Sequence, residues 1–77
     1  MDQRATAELM SEFWTELLDV DSVVPDDHLL ELGGNSLVAT MLANRIEAAW
    51  GFRPTMDQML NSSFQELSDL CEKSRTI

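Results

Sequence analysis

The sequence predicts a small all-α protein, an antiparallel bundle of three longer helices and one short helix, with a long loop between the first two. Apolar residues recur at spacings of three and four in several segments, as they do along one face of a helix. No stretch of four to eight residues alternates between apolar and polar as a half-buried strand does. With 77 residues, the chain is expected to form a single domain over residues 1–77.

The first helix is predicted over Thr6–Leu18, where apolar residues form one stripe. The stripe consists of Leu9, Met10, Phe13, Trp14, Leu17 and Leu18. Residues 19–35 then form an acidic connection that is unusually long for a compact domain, so it should be functional or held to the core. The apolar residues predicted to hold it are Val20, Val23, Val24, Leu29, Leu30 and Leu32.

The second helix is predicted from Ser36 to Trp50, with Asn35 as its N-cap and Gly51 as its C-terminal stop. A helical wheel gives a buried face of Val38, Ala39, Leu42, Ile46, Ala49 and Trp50. A short third element is predicted over residues 55–60. The fourth helix is predicted to open at Ser63, where the sequence SFQE has the capping-box pattern.

Charge and composition exclude several function classes. Five basic and fourteen acidic residues give a net charge of −9, which argues against nucleic acid and anionic membranes and favours partners with a basic patch. No apolar run reaches the roughly 18 residues of a membrane span, and residues 1–4 are not followed by the apolar segment of a signal peptide. The single cysteine, Cys71, is expected to be a reduced core residue of a cytoplasmic protein. Nothing suggests more than a monomer.

No metal site is predicted. One histidine and one cysteine cannot form a zinc site. An EF-hand loop beginning at Asp19 would place Val24 where glycine is needed and Leu30 where glutamate is needed.

The most informative segment is LGGNSL, residues 32–37. Its two glycines allow unusual backbone conformations and leave the approach to Ser36 open. Ser36 falls in the first turn of a helix, where free amides and the positive end of the dipole favour a phosphate ester. The alternative is a glycine-rich loop in which Ser36 only caps the helix, and the residues alone do not decide between the two.

A catalytic serine is a third hypothesis, and the pattern disfavours it. A nucleophile elbow needs glycine two residues after the serine, where this chain has Val38. The only histidine, His28, is eight residues upstream in the same loop. Since no general base is evident near Ser36, any modification of its hydroxyl requires another enzyme.

The outer face of the second helix is a candidate docking surface. Leu37, Thr40 and Met41 fall on or beside this face, and apolar groups exposed beside a reactive serine indicate partner binding. Alternatively, Leu37 and Met41 fold down onto the third element. The charged residues of this helix, Arg45 and Glu47, cancel, so contacts along it should be chiefly apolar.

The LGGNSL segment resembles the attachment motif of peptidyl carrier (thiolation) proteins of nonribosomal peptide biosynthesis, in the phosphopantetheine-binding acyl carrier family. The resemblance extends over residues 9–72 and implies an acyl-carrier-like bundle. It implies that Ser36 carries 4′-phosphopantetheine, with Gly34, Asn35 and Leu37 beside the cofactor. The implied partners are a phosphopantetheinyl transferase, an adenylation enzyme that loads an amino or aryl acid as a thioester, and condensation or tailoring enzymes. The chain itself would be no enzyme.

The sequence departs from this family at Asn35, where histidine or aspartate is more common, and at Met41, where a basic residue is common. Leu29-Leu30 replaces a frequent aromatic pair, and residues 53–63 match poorly. The double glycine and the near-neutral second helix favour a peptidyl carrier over an acyl carrier of polyketide or fatty acid synthesis, which remains the alternative. A plain helical interaction module is the alternative of another class. Because no linker flanks the domain, a free-standing (type II) carrier is expected.

Overall fold

A computed structural model describes residues 5–75. In this range four helices follow one another: α1 (Thr6–Leu18), α2 (Ser36–Trp50), α3 (Met56–Asn61) and α4 (Phe64–Arg75). The described residues form no β-strand, and their one isolated bridge pairs His28 with Ser63. The predicted all-α class with one short helix is therefore confirmed. Residues 1–4, on which the expectation of no signal peptide rests, lie outside the described residues.

One core holds the helices together. α1 and α4 each pack against α2, and α1 also packs against α4, while α3 contacts α2. Trp14 is completely buried and its ring meets that of Phe64 edge to face, with 5.3 Å between centroids. The fully buried large side chains are Met10, Trp14, Leu29, Leu42, Ile46, Met59, Leu67 and Cys71.

The loop between α1 and α2 is held to the rest of the protein by apolar side chains and by two backbone carbonyls. Leu29 is fully buried in the core. The carbonyl of Asp27 accepts the amide of Phe64 at 2.7 Å, and that of Pro25 accepts the amide of Gln65 at 3.1 Å. These carbonyls satisfy amides of the first turn of α4 that no intrahelical acceptor can reach.

Three of the six loop residues predicted to hold it do not pack on the core, namely Val20, Val24 and Leu30. Val24 is 53% exposed and Leu30 is 54% exposed, whereas Val23 and Leu32 pack against the core. In the pair Leu29-Leu30 the backbone turn directs only Leu29 inward.

The buried face of α2 differs from the helical-wheel prediction at two positions, Ala43 and Ala49. Ala39, Leu42 and Ile46 are buried as predicted, but Ala43 joins them and Ala49 is exposed. Ala49 is exposed although its neighbour Trp50 packs on the ring of Phe13 in α1, with 5.9 Å between the centroids. The predicted bounds of α1 and α2 are confirmed, and α3 begins at Met56 because Thr55 is its N-cap.

Candidate functional site

Ser36 is the first residue of α2, and its side chain is exposed to solvent. Asn35 immediately before it is the predicted N-cap, and this is confirmed: its Oδ1 accepts the amide of Val38 at 3.0 Å. The Asn35 carbonyl accepts the amide of Ala39 at 2.8 Å. Among the described residues, no group of the chain accepts the amides of Ser36 and Leu37, which therefore face outward at the positive end of the α2 dipole.

A compact turn precedes this helix start. The carbonyl of Leu29 accepts the amides of Leu32 and Gly34 at 3.2 and 2.9 Å, and that of Leu30 accepts the amide of Gly33 at 3.2 Å. Gly33 has φ +92°, a conformation that side chains other than glycine rarely adopt. The glycine at this position is therefore required by the backbone.

Gly34 has a different role from the one that the sequence suggested. Its φ is not positive, and the residue is buried. A Cβ on Gly34 would lie 2.8 Å from both Cγ and the carbonyl oxygen of Leu29, and 3.2 Å from Leu18 Cδ2. The absence of a side chain at Gly34 thus lets the turn pack against the interior, rather than clearing the approach to Ser36 from solvent.

No general base reaches the Ser36 hydroxyl within the described part of the chain. The only histidine, His28, has its Nδ1 at 3.0 Å from the carbonyl oxygen of Asp26 and 3.1 Å from Oε1 of Glu31. Because both partners accept hydrogen bonds, Nδ1 carries a proton and donates it. The arrangement at Ser36 therefore offers a nucleophile that other groups must activate.

The outer face of α2 beside Ser36 is apolar. Leu37 is 68% exposed and Met41 is 43% exposed, so neither residue is buried against α3. Thr40 is half-buried, and its hydroxyl donates to the carbonyl of Ser36 at 2.9 Å. This hydrogen bond uses the only donor of the Thr40 hydroxyl.

An open cavity of about 390 Å³ lies next to this face, between α2 and the segment that leads into α3. Its lining consists of Thr40, Ala43, Arg53, Pro54, Thr55, Met56 and Met59. The sequence did not predict this cavity, because residues 53–63 match the family pattern poorly. One local signal was available: Thr55 and Gln58 form a second capping box, with hydrogen bonds of 2.9 and 3.1 Å between them.

The thiol of Cys71 is unsuited to nucleophilic chemistry. Cys71 is buried as predicted, and burial raises the pKa of its thiol to about 12. Such a thiol stays protonated at neutral pH and is a poor nucleophile. Within residues 5–75, no three potential metal ligands cluster, and no helix combines the length and apolarity that crossing a bilayer requires.

The features around Ser36 fit a covalently bound phosphate group. The hydroxyl is exposed, two amides of the helix start are open to an anion, and the Asn35 cap holds the first turn in place. The exposed position of this hydroxyl also leaves room for a long flexible group to extend from the protein surface.

Comparison with known proteins agrees with this fit. One of the linear gramicidin synthase proteins of Brevibacillus parabrevis is 39% identical over 46 residues, which is 60% of this chain and 1% of that protein. A probable nonribosomal peptide synthetase of Salinispora arenicola is 36% identical over 56 residues, 73% of this chain and 1% of its own length. Bacitracin synthase 2 of Bacillus licheniformis is 30% identical over 64 residues, 82% of this chain and 2% of its own length.

The chain thus spans only 1–2% of the length of these relatives, and the similarity is confined to one small region of each. The family described as "Phosphopantetheine attachment site" matches residues 8–71, which is most of the chain. Its members are carrier domains, not catalysts, and the resemblance to the carrier domains of nonribosomal peptide synthetases is confirmed at this level. The chain belongs to the phosphopantetheine-attachment family, whose prosthetic group is covalently bound 4′-phosphopantetheine.

Proposed function

We propose that this chain is a peptidyl or aminoacyl carrier protein and that Ser36 is its attachment residue. The observation that carries the proposal is the exposed Ser36 hydroxyl at the start of α2, beside the open amides of Ser36 and Leu37. A phosphodiester there carries one negative charge, and the helix dipole stabilises such a charge by about 0.3–1 kcal/mol. Asn35 and Leu37 would border the phosphate, while Gly34 fixes the turn beneath them.

Attachment requires a phosphopantetheinyl transferase with Mg²⁺. Ser36 Oγ forms a bond to the phosphorus of coenzyme A that bears the pantetheine, the phosphoanhydride bond breaks, and adenosine 3′,5′-bisphosphate leaves. The hydroxyl proton passes to a base of the transferase, because no base of this chain is hydrogen-bonded to Ser36 among the described residues. The carrier itself is therefore proposed to be a substrate of its partners and no enzyme.

Intact-mass measurement tests the attachment. The protein is incubated with coenzyme A, Mg²⁺ and a promiscuous transferase, and the wild-type chain should gain one phosphopantetheine. Ser36→Ala should gain none, whereas Ser22→Ala, which changes an exposed serine of the loop, should be modified like the wild type. An unmodified wild-type chain would contradict the proposal and favour a helical interaction module in which Ser36 belongs only to the helix start.

The proposed cargo is an amino or aryl acid, loaded as a thioester by an adenylation enzyme and passed to condensation or tailoring enzymes. The similarity to nonribosomal peptide synthetases and the cancelling charges of Arg45 and Glu47 on α2 support this cargo over a polyketide or fatty acyl group. A panel of separately purified loading enzymes would distinguish them. Loading by an adenylation enzyme would support the peptidyl assignment, and loading only by an acyltransferase would contradict it.

We propose that partners dock on the apolar surface formed by Leu37, Thr40 and Met41. Met41→Glu places a charge in a contact that should exclude water, so the loading rate by the partner enzyme should fall roughly tenfold. Ala49→Glu is the matched control, because Ala49 is exposed on the same helix about 20 Å farther along it than Ser36. Equal loading rates for the two variants would contradict this docking surface.

A further inference from the structure

The chain contains two asparagine–serine pairs, Asn35-Ser36 and Asn61-Ser62, and both asparagines are exposed. Asparagine is thermolabile, because the backbone nitrogen of the next residue can attack its Cγ and displace the side-chain amide. The attack needs a backbone N–H that is free of other partners and a carbonyl carbon within its reach. Since the two pairs consist of the same residue types, a difference in their reactivity must come mainly from the fold.

The fold leaves Asn35 open to this attack. The backbone N–H of Ser36 has no acceptor among the described residues. Oδ1 of Asn35 accepts the amide of Val38 at 3.0 Å, so the side chain lies over the first turn of α2, where the Ser36 N–H also points. The Val38 N–H would stabilise the negative charge that develops on Oδ1 when Cγ is attacked. The cap thus holds the reacting carbonyl near the nucleophile and polarises it.

The same dipeptide at the end of α3 is protected. The amide of Ser62 donates to the carbonyl of Gln58 at 3.1 Å, so the nucleophile is occupied. The side-chain amide of Asn61 donates from Nδ2 to Oδ1 of Asp57 at 2.7 Å, which holds the leaving group in place. Both hydrogen bonds must open before Asn61 can react, which makes this pair a control within the same molecule.

We propose that Asn35 is a site of spontaneous deamidation and that a phosphate group on Ser36 protects it. The Ser36 backbone nitrogen forms a bond to Cγ of Asn35 and gives its proton to solvent. The bond from Cγ to Nδ2 breaks, and Nδ2 takes a proton from water and leaves as ammonia. Water then adds to either carbonyl carbon of the resulting five-membered succinimide. Ring opening gives aspartate or isoaspartate, with no change of oxidation state.

The two products should differ in their effect on the site. Aspartate keeps a cap oxygen for the Val38 amide and adds one negative charge beside Ser36. Isoaspartate lengthens the backbone by one carbon immediately before α2, which displaces the Asn35 carbonyl that accepts the Ala39 amide at 2.8 Å. We expect the isoaspartyl form to be a poor substrate for attachment, because the first turn that presents Ser36 is disturbed.

Protection by the attached group rests on the proposed function. A phosphate on Ser36 Oγ brings anionic oxygens next to the Ser36 N–H, and these accept hydrogen bonds more strongly than water does. The nucleophile for the attack on Asn35 is then occupied. The unmodified carrier should therefore age at Asn35, whereas the carrier that bears its arm should not.

Mass spectrometry of incubated protein tests the site. The unmodified chain is kept at 37 °C in mildly alkaline buffer, with and without urea, and then digested. Fragment ions locate the mass gain from replacement of NH2 by OH, and distinguish aspartate from isoaspartate. In the native protein Asn35 should convert roughly tenfold faster than Asn61, because two hydrogen bonds protect Asn61. In urea, which unfolds the chain, the two rates should be similar.

A second comparison tests the consequences. The chain that bears phosphopantetheine should convert at Asn35 about fivefold more slowly than the unmodified chain. When incubated protein is treated with coenzyme A, Mg²⁺ and the transferase, its isoaspartyl fraction should stay unmodified. Asn35→Ser keeps a cap oxygen without an amide to lose, so its capacity for attachment should be the same before and after incubation.

Native rates that are equal at Asn35 and Asn61, or slower at Asn35, would overturn the inference and leave the proposed function intact. Equal rates with and without the arm would overturn the protection. A wild-type chain that the transferase never modifies would overturn the proposed function and the protection, whereas faster conversion at Asn35 would still support the deamidation site.

Discussion

The close packing around Gly34 allows a quantitative prediction, because the methyl group of an alanine there would have no room. Carbon atoms are most favourably placed 3.5–4.0 Å apart, and the added methyl group would lie 2.8 Å from Leu29 Cγ. It would also lie 2.8 Å from the Leu29 carbonyl oxygen, which accepts two amides of the turn and cannot retreat without lengthening both hydrogen bonds. Leu29 is fully buried, so its side chain cannot move away without displacing its neighbours in the core.

We therefore expect Gly34→Ala to reduce the free energy of unfolding by about 1–3 kcal/mol, the usual range for overpacking. A domain of 77 residues has a total stability of roughly 4–12 kcal/mol. Each kcal/mol lowers the melting temperature of a domain this size by about 4–8 °C, so the expected decrease is roughly 5–20 °C. Thermal unfolding followed by circular dichroism measures it.

Gly33 supplies the control, because a side chain there would meet open space. A substitution at Gly33 should therefore lower the free energy of unfolding only through the positive φ of this residue. Asparagine tolerates positive φ better than alanine does, so Gly33→Asn should be more stable than Gly33→Ala. At Gly34 the order should reverse, since asparagine is larger and the obstacle is steric. A melting temperature for Gly34→Ala within about 2 °C of wild type, or the same ranking of substitutions at both glycines, would refute this reasoning.

Three further predictions concern a helix cap and two titrating groups. Asn35→Ala should lower the free energy of unfolding, measured in urea, by about 0.5–2 kcal/mol because the Val38 amide loses its acceptor. Asn35→Asp should retain most of this stability, because aspartate is also a good N-cap. The Ser63 amide and hydroxyl hold the pKa of the Glu66 carboxyl below its ordinary value. The stabilising effect of the ionised carboxylate is therefore complete above about pH 4.5 and disappears as the pH falls through the lowered pKa. Glu66→Gln should flatten the decline of melting temperature between about pH 5 and 3, and a decline as steep as that of the wild type would contradict this. Because burial raises the pKa of Cys71 to about 12, a thiol reagent at pH 8 should react only after denaturation, and rapid reaction of the native protein would show that the thiol is accessible.

Local patterns predicted the helices well, because the groups that define them are near one another in the sequence. The apolar stripe of α1 gave its bounds, and the capping box at Ser63 and Glu66 is present with hydrogen bonds of 2.8 and 3.2 Å. The same rule applies to Thr55 and Gln58, which form the capping box of α3. Each of these features depends on neighbours three or four residues apart.

Long-range packing limited what the sequence could predict about the loop. Leu29 and Leu30 are identical residues, yet only the first is buried, because the direction of each side chain depends on a turn closed by backbone hydrogen bonds. The carbonyls of Pro25 and Asp27 pair with amides of α4 about forty residues away, and backbone groups carry no residue-specific signal. The cavity at Arg53 escaped prediction for the same reason, since it forms only when residues 53–59 pack on α2.

A series of hydrogen bonds and packing contacts connects α4 to the turn before Ser36, the proposed attachment residue. Ser63 and Glu66 cap α4, and the amides at its start hold the loop through the carbonyls of Pro25 and Asp27. The same loop buries Leu29, whose carbonyl accepts the Gly34 amide one residue before the Asn35 cap. The backbone beside Ser36 is thus fixed by contacts distant in sequence, while the hydroxyl itself stays exposed. Loss of the α4 cap should therefore loosen the loop and, through it, the turn before Ser36, although α4 contributes no residue to the site.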